Sequence, residues 1–220
     1  TGSMGKVRFN RIAAAASNAN DDVLPTAWEE ANDNANTSMR GMRVADGLTS
    51  GSISIILPTF EFGGGSVDLS VDYDPAANSG GGNPGATATR AASIGSGYAV
   101  GAKLGFGPVT AYGAYANESS TKSADAIDGQ NVMVQLVASL GSVSIGAGEW
   151  YANEDNGGND YSTTGMSIAF NVNDDLSMSY GELEDSQENI GATSGVTTDI
   201  KSIQVAYSMG SMAVKAKRVE

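Results

Sequence analysis

The stretch QLVASLGSVSIGAGEWYA, residues 135–152, decides the fold class. On both sides of Gly141-Ser142, apolar residues alternate with small or polar ones, which is the pattern of two antiparallel strands joined by a tight turn. Residues opposite each other across such a turn lie on the same face of the sheet. Leu140 and Val143 therefore begin an apolar face that continues through Ile145. The stretch predicts a hairpin with one apolar and one polar face.

The same alternation recurs along the chain and predicts an all-β protein. Short turns, such as those at 105–108, 141–142, 173–175 and 210–211, alternate with long loops rich in Gly, Asn, Asp and Ser. All short turns then lie at one end of a single antiparallel up-and-down sheet, and all long loops at the other. The eleven predicted strands lie near 4–12, 50–57, 66–74, 97–105, 108–117, 131–140, 142–152, 162–172, 175–184, 199–209 and 211–219.

Two details of this pairing are specific enough to test. The turn at 58–66 predicts that Leu57 lies opposite Val67 and Ile53 opposite Val71. Glu149 breaks the alternation of its strand, because plain pairing sets it on the apolar face opposite Val134. A bulge at Gly148, or a position at the level of lipid headgroups, would accommodate it.

Composition excludes several classes of function. The chain has no Cys and no His, and its 25 acidic and 12 basic residues give a net charge of −13. Zinc fingers, thiolate or imidazole chemistry and Ser-His-Asp triads are excluded, and an acidic chain repels nucleic acid. Its carboxylates concentrate in loops rather than in a buried, coupled pair, so we predict no enzymatic activity and no cofactor. The acidic loop at 153–161 could present oxygen ligands to calcium.

Two architectures fit an apolar face of this extent. In a secreted β-sandwich or a surface adhesin, the apolar faces would be buried in a two-layer core. In a membrane barrel they would face lipid, and a transmembrane strand needs only about 9–11 residues. Eleven consecutive strands without a covering helix favour the barrel. Aromatic residues also fall at two levels of the sheet, as in the girdles of membrane barrels; they are Tyr73, Tyr98, Tyr115 and Tyr151 at one level and Phe60, Phe62, Phe106 and Phe170 at the other.

Three stretches resemble the general porins of the Gram-negative outer membrane, in particular an alphaproteobacterial type. They are GSMGKVRFNR (2–11), ISIILPTFEFGGGSVDLSVDY (53–73) and VAYSMGSMAVKAK (205–217). Asn10 stands before Arg11 where the family usually has Gly. The resemblance implies a sixteen-stranded transmembrane barrel in the outer membrane that passes ions and small hydrophilic solutes by passive diffusion. It also implies a homotrimer in contact with membrane lipid and lipopolysaccharide.

The resemblance also assigns the parts of the chain. Strand 4–12 resembles the fifth barrel strand, and residues 13–49 resemble the inserted loop that constricts the pore. The last strand is then the fifteenth, so residues 1–220 are expected to form one barrel domain that is incomplete at both ends, with unclosed sheet edges. Within the loop, Thr26-Ala27-Trp28-Glu29 matches a capping box and predicts a helix.

Charged residues of the loop and the wall are the candidate site. The loop acids form either a solvated surface or an acidic lip in the pore; they are Asp21, Asp22, Glu29, Glu30 and Asp33. Cations on the inward parity of the first and last strands are expected to share one arc of wall opposite this lip; they are Lys6, Arg8, Lys215 and Lys217. Such an arrangement either sets up a transverse field that screens solutes or merely solvates the interior. Parity does not assign Arg11, Arg40 and Arg43 to either side. Further lumen residues are Asp68, Asp72, Lys103 and Gln135.

Overall fold

The computed structural model describes residues 4–10, 15–33, 42, 48, 51–77, 95–118, 129–154, 159–189 and 195–220. These residues contain twelve strands and one short 3₁₀ helix, Ser17–Asn20. No helix in these ranges has the length and the apolar composition needed to cross a membrane. The strands are β1 Lys6–Phe9, β2 Ile53–Ile56, β3 Phe60–Phe62, β4 Gly65–Ala77, β5 Gly95–Phe106, β6 Val109–Glu118, β7 Gly129–Leu140, β8 Val143–Glu154, β9 Asn159–Asn171, β10 Leu176–Asn189, β11 Val196–Met209 and β12 Met212–Val219.

All twelve strands belong to one antiparallel sheet in which chain neighbours are sheet neighbours. The order runs from β1 and β2 through β4 to β12, and β3 pairs with β4 beside this path. Within the described ranges β1 and β12 do not pair with each other, so the predicted open edges are confirmed. Because every described strand lies in one sheet, the alternative of a two-layer sandwich is wrong.

The predicted hairpin at 135–152 is confirmed residue for residue. Leu140 pairs with Val143 and Ala138 with Ile145. Gly141 sits in the turn at φ +68°, a conformation that glycine adopts without steric cost. Along β7 the side chains alternate strictly between buried and exposed from Gly129 to Leu136. The predicted two-faced sheet is therefore present, with large apolar side chains on its exposed face.

The predicted register at 53–73 is wrong by two residues. Ile55 pairs with Val71 and Ile53 with Tyr73, while Val67 pairs with Phe60 instead of Leu57. The reason is a tight turn at Gly63-Gly64, where both glycines have positive φ and β3 folds back directly onto β4. Residues 57–59 then connect β2 to β3 with one residue more than the facing strand has, so the same residues stay on the apolar face in a shifted register.

Glu149 lies on the exposed face without a bulge. It pairs with Val134 on β7 and Thr164 on β9, and the β7–β8 register is continuous past Gly148. Its neighbour Trp150 is fully buried on the other face. Of the two ways of accommodating Glu149, the bulge at Gly148 is thus excluded, and a position at the headgroup level is left.

The helix predicted from Thr26 is also wrong. The described loop contains only the 3₁₀ turn at Ser17–Asn20, and residues 24–33 follow an irregular course with a single turn closed by the amide of Asp33 on the carbonyl of Glu30. The helix does not form despite the capping-box sequence, because the backbone groups of this segment bind side chains of the wall, as described next.

Candidate functional site

Residues 15–33 form a strap that lies across the polar inner face of the sheet. We call this segment the strap throughout. It runs from β4 to β12, and side chains of the successive strands hold it by its backbone. The inner face is thus partly covered by the chain itself, while the apolar outer face stays exposed.

The first anchor of the strap is Asp72 on β4. Its carboxylate is fully buried and accepts hydrogen bonds from the amides of Ala16 and Ser17 at 2.8 and 2.9 Å. The hydroxyl of Ser54 donates a further bond to the same carboxylate. Three donors on one carboxylate compensate its burial, since hydrogen bonds to a charged group are the strong ones. Asp72 was predicted as a lumen residue, and the structure assigns it to holding the strap.

The middle of the strap is held by β7 and β8. The side-chain amide of Gln135 donates to the carbonyls of Asn20 and Asp21 at 2.8 and 2.5 Å. The indole N–H of Trp150 donates to the Asp21 carboxylate at 2.9 Å. Asp21 is therefore buried against the wall and does not form part of an acidic lip.

The last anchors lie on β10, β11 and β12. The hydroxyl of Ser179 accepts from the amide of Ala27 at 2.9 Å. Gln204 accepts from the amide of Glu29 at 3.2 Å and donates to its carbonyl at 2.6 Å. Lys217 Nζ donates to the carbonyls of Glu30 and Asp33, both at 2.5 Å. The strap is clamped at both ends and in the middle.

A pair of carboxyl groups lies next to the Lys217 clamp. Burial, and then the charges of Asp22 and Asp33, raise the pKa of Glu30 to about 7, while the charge of Lys217 lowers it. Glu30 and Asp22 share a hydrogen bond, and burial also raises the pKa of Asp22. Because Asp22 keeps solvent-exposed surface, we assign the shared proton to Glu30. The strap thus carries an acid that changes charge near neutral pH.

The two ends of the basic wall differ in what they contact. Lys6 and Arg8 lie on the inward face of β1, opposite Ile56 and Ser54. Lys215 lies with Nζ 5.0 Å from the centre of the Trp28 ring, and Lys217 binds the strap directly. The expectation that all four cations face the loop across an open lumen is therefore corrected for β12, because its two lysines touch the strap. Arg11, Arg40 and Arg43 lie outside the described residues.

The other predicted lumen residues keep their inward parity. Asp68 and Lys103 are paired neighbours on β4 and β5, and Lys103 Nζ lies 5.9 Å from the ring centre of Tyr112. The hydroxyl of Thr59 donates to Asp68 at 2.5 Å. Of the acidic loop at 153–161 proposed for calcium, residues 155–158 lie outside the described residues. No cluster of metal-binding side chains is found among the residues that are described.

Sequence reasoning missed several wall residues that hold the strap. Trp150, Ser179 and Gln204 all have inward parity, yet nothing in a strand pattern separates an anchor from an ordinary lumen side chain. The one available signal was Trp150, a large aromatic residue at an inward position of a strand whose other inward residues, Ser144, Gly146 and Gly148, are small.

The comparisons with known proteins agree with this geometry. Residues 1–217 match the model of the Gram-negative porin family. The chain belongs to this family. The porin is accordingly a protein of the bacterial outer membrane, and its fold is that of a transmembrane β-barrel. Its alphaproteobacterial type stays a prediction. No curated protein matches the chain.

Solved structures of OmpT from Vibrio cholerae share the fold of this porin. One of them, the outer-membrane expressed form, aligns with a TM-score of 0.63 at 13% identity, over 99% of this chain and 66% of that chain. An in-vitro folded trimer form aligns with a TM-score of 0.59 at 19% identity, over 97% and 65%. A variant that lacks loop L8 aligns with a TM-score of 0.60 at 17% identity, over 98% and 70%. The porin chain thus spans about two thirds of the OmpT chains, and at these identities the likeness shows the fold alone.

The prediction that the protein is not an enzyme is corrected. The structural neighbours are OmpT proteins, and a shared barrel fold at 13–19% identity supplies no argument against catalysis. The premise of the exclusion also fails, because Glu30 and Asp22 form a coupled carboxyl pair with displaced pKa values. The exclusion of enzymatic activity is therefore withdrawn.

Proposed function

We propose that this porin lets ions and small hydrophilic solutes diffuse passively through a water-filled lumen whose width is limited by the strap. One observation carries the proposal: the strap crosses the polar inner face and is bound there by Asp72, Gln135, Gln204 and Lys217. A segment held inside the barrel wall reduces the free cross-section, and pore diameter and lining charge decide which solutes pass. In the family's terms, residues 13–49 act as the constriction loop.

The lining of this pore is charged with both signs. On the strap, Glu29, Glu30 and Asp33 are half-buried, and on the wall Lys6 and Lys103 are exposed. Opposite charges on the two sides of a narrow lumen would orient water and screen solutes by charge. The β12 lysines belong to the strap side, so in this proposal the basic side is formed by β1 and by Lys103.

The test is reconstitution of the full-length gene product in planar lipid bilayers. The proposal expects stepwise current increments of uniform size. A protein that folds and inserts, as judged by protease protection in vesicles, yet carries no current would contradict it.

A selectivity measurement examines the basic side. Replacing Lys6 and Arg8 together with Gln removes two inward positive charges from β1, so cation selectivity is expected to rise. The reversal potential in a salt gradient measures this change. The matched control is Lys201→Gln, which removes a positive charge from the outer face, where Lys201 lies 3.4 Å from Glu182. A reversal potential that does not differ from that of the control would show that β1 does not set the field.

The proposed assembly is a homotrimer in contact with lipid and lipopolysaccharide. A trimer form exists among the OmpT structures that share the fold. The wall also offers lipid a continuous apolar surface, in which Val71, Val100, Val132 and Ile145 are each about half exposed. Crosslinking of the full-length protein in native membranes tests the trimer, and a monomeric pattern would argue against it.

A further inference from the structure

Four glycines on the inner wall form a groove under the strap. Gly101 lies on β5, Gly146 on β8, Gly165 on β9 and Gly181 on β10, and we call them the groove glycines. None of them has a positive φ, so backbone conformation does not require glycine at these places. Their common property is the space that a missing side chain leaves.

The strap fills this space. A Cβ added to Gly146 would lie 2.5 Å from Cδ of Pro25, and one added to Gly181 would lie 3.0 Å from Cβ of Ala31. A Cβ on Gly101 would lie 2.9 Å from Cα of Ser17. Carbon atoms in contact stay about 3.5–4.0 Å apart. Any side chain at these positions must therefore displace the strap or the wall.

Leu24 fixes the strap in the groove at its centre. It packs against the buried apolar cluster that contains Trp150 and also against the cluster of Leu183 and Ile200, so it joins two small apolar clusters inside the barrel wall. A Cβ on Gly165 would lie 3.1 Å from a methyl group of Leu24. The wall therefore positions the strap by shape between the hydrogen-bonded anchors.

We propose that the groove glycines set the aperture of the pore, because the depth of the groove decides how far the strap reaches into the lumen. This inference rests on the proposed function. It assigns solute selection to residues that lie behind the strap and do not line the lumen. The depth of the groove and the width of the channel then change together.

Conductance of alanine variants tests the link between groove and aperture. Gly146→Ala pushes against a proline ring carbon, which cannot rotate away, and requires a shift of about 1 Å. We expect roughly 1.5-fold lower single-channel conductance and a smaller size limit for neutral sugars. Gly181→Ala requires a shift of about half that distance and should have a smaller effect in the same direction. Gly165→Ala should have the least effect on the strap, because its nearest neighbour is a flexible methyl end of Leu183 at 2.5 Å.

Gly105→Ala is the matched control. Gly105 has the same inward parity on β5 as Gly101, but among the described residues an added Cβ would meet just the hydroxyl of Ser66, at 3.1 Å. Its conductance should equal that of the wild type. If Gly146→Ala conducts like Gly105→Ala while remaining folded, the groove does not set the aperture.

A disulfide tests whether the strap lies in the groove, independently of conduction. The chain has no Cys, so the double variant Ala31→Cys/Gly181→Cys contains only the introduced pair. The two Cβ positions lie 3.0 Å apart, about 0.5 Å below the separation of about 3.5–4.5 Å that a disulfide needs, so a small outward shift of the strap brings them into range. We expect spontaneous oxidation, seen as loss of thiol labelling, and equal conductance of the oxidised and reduced forms.

The outcomes separate the two proposals. Thiols that stay free would contradict the position of the strap in the groove, whether or not the protein conducts. A disulfide in a protein that carries no current would support the position of the strap in the groove and contradict the proposed function as a pore. A disulfide that changes the current would show that the strap leaves the groove during conduction, which contradicts a fixed aperture.

Discussion

At the scale of single residues, Lys217 clamps the end of the strap. Its ammonium donates to two backbone carbonyls, whereas Lys215, on the same strand, makes a cation–π contact with Trp28. Strand parity assigned the same inward position to both lysines, and only the three-dimensional course of the strap separates their roles. A lysine that binds backbone carbonyls fixes the position of the strap, while a lysine over an aromatic ring mainly adds positive charge.

Lys217→Met should release the end of the strap. Methionine keeps most of the apolar stem but has no donor for the carbonyls of Glu30 and Asp33, so we expect greater current noise and a larger mean conductance. Lys215→Met removes the same charge without removing these hydrogen bonds and should leave the noise unchanged. Single-channel recordings of the two variants check this. Equal noise in both would mean that the charge alone matters.

Glu30 predicts a pH dependence of selectivity. With its pKa raised to about 7, Glu30 loses its negative charge as the pH falls through that value, so cation selectivity should decrease between about pH 8 and about pH 6. The same shift affects stability. The proton on Glu30 stabilises the folded state below the ordinary pKa of 4.5, and this contribution is lost as the pH rises through about 7.

The matched pair for this titration is Glu30→Gln and Glu29→Gln. Glu29 is the adjacent acid of the strap, and its backbone, rather than its carboxylate, binds Gln204. The pH-dependent step in reversal potential should disappear in Glu30→Gln and persist in Glu29→Gln. Persistence of the step in both variants would assign it to another group.

At the scale of elements, the start of the strap depends on strand β4. The buried carboxylate of Asp72 binds the amides of Ala16 and Ser17 at the start of the 3₁₀ helix Ser17–Asn20. The backbone of this segment has few internal hydrogen bonds, so its conformation is imposed from outside. A strap of this kind is only as ordered as its anchors.

Asp72→Asn is expected to loosen the strap. Asparagine offers one acceptor oxygen where two amides need one each, and loss of a hydrogen bond to a charged group costs about 1.5–3 kcal/mol. We expect a lower melting temperature in detergent and faster proteolysis within the strap, residues 15–33. Asp68→Asn is the control, since Asp68 lies on the same face of β4 and binds only the hydroxyl of Thr59. Equal protection in both variants would remove Asp72 from the anchors.

The elements also show what a sequence can predict. Period-two alternation predicted the strands and the face of Leu140, Val143 and Ile145, because each strand repeats one local rule. The register at 53–73 failed, since the Gly63-Gly64 turn and a longer connection were both compatible with the same glycine-rich run. The prediction for the strap was wrong in its secondary structure. Thr26 matched a capping box, but the wall residues Ser179 and Gln204 bind the backbone that a helix would have used.

At the scale of the whole molecule, the outer wall carries a row of charged residues across β8 to β11. The row of paired residues begins at Glu149 on β8 and runs through Thr164 on β9 and Glu184 on β10 to Asp199 on β11. On β4 to β6 the corresponding border is aromatic, with Tyr73 paired to Tyr98, and with the Tyr98 and Tyr115 rings tilted by 45° at a centre-to-centre distance of 6.0 Å. A border of charges and tyrosines suits the headgroup level of a bilayer. Glu149 therefore marks the edge of the apolar band.

Arginine substitutions on β8 measure the position of this edge. Ile145 lies midway between the turn at Gly141 and Glu149, and both its partners, Ala138 and Ile168, are apolar. Relative to alanine at the same position, Ile145→Arg should cost about 2–4 kcal/mol of folding free energy in lipid vesicles, whereas Glu149→Arg should cost about 0–1 kcal/mol, because the cost of a charge falls toward the interface. Denaturant unfolding of the full-length protein in vesicles gives both values. Equal costs would place Glu149 inside the hydrocarbon, and the charged row would then need a protein neighbour instead of headgroups.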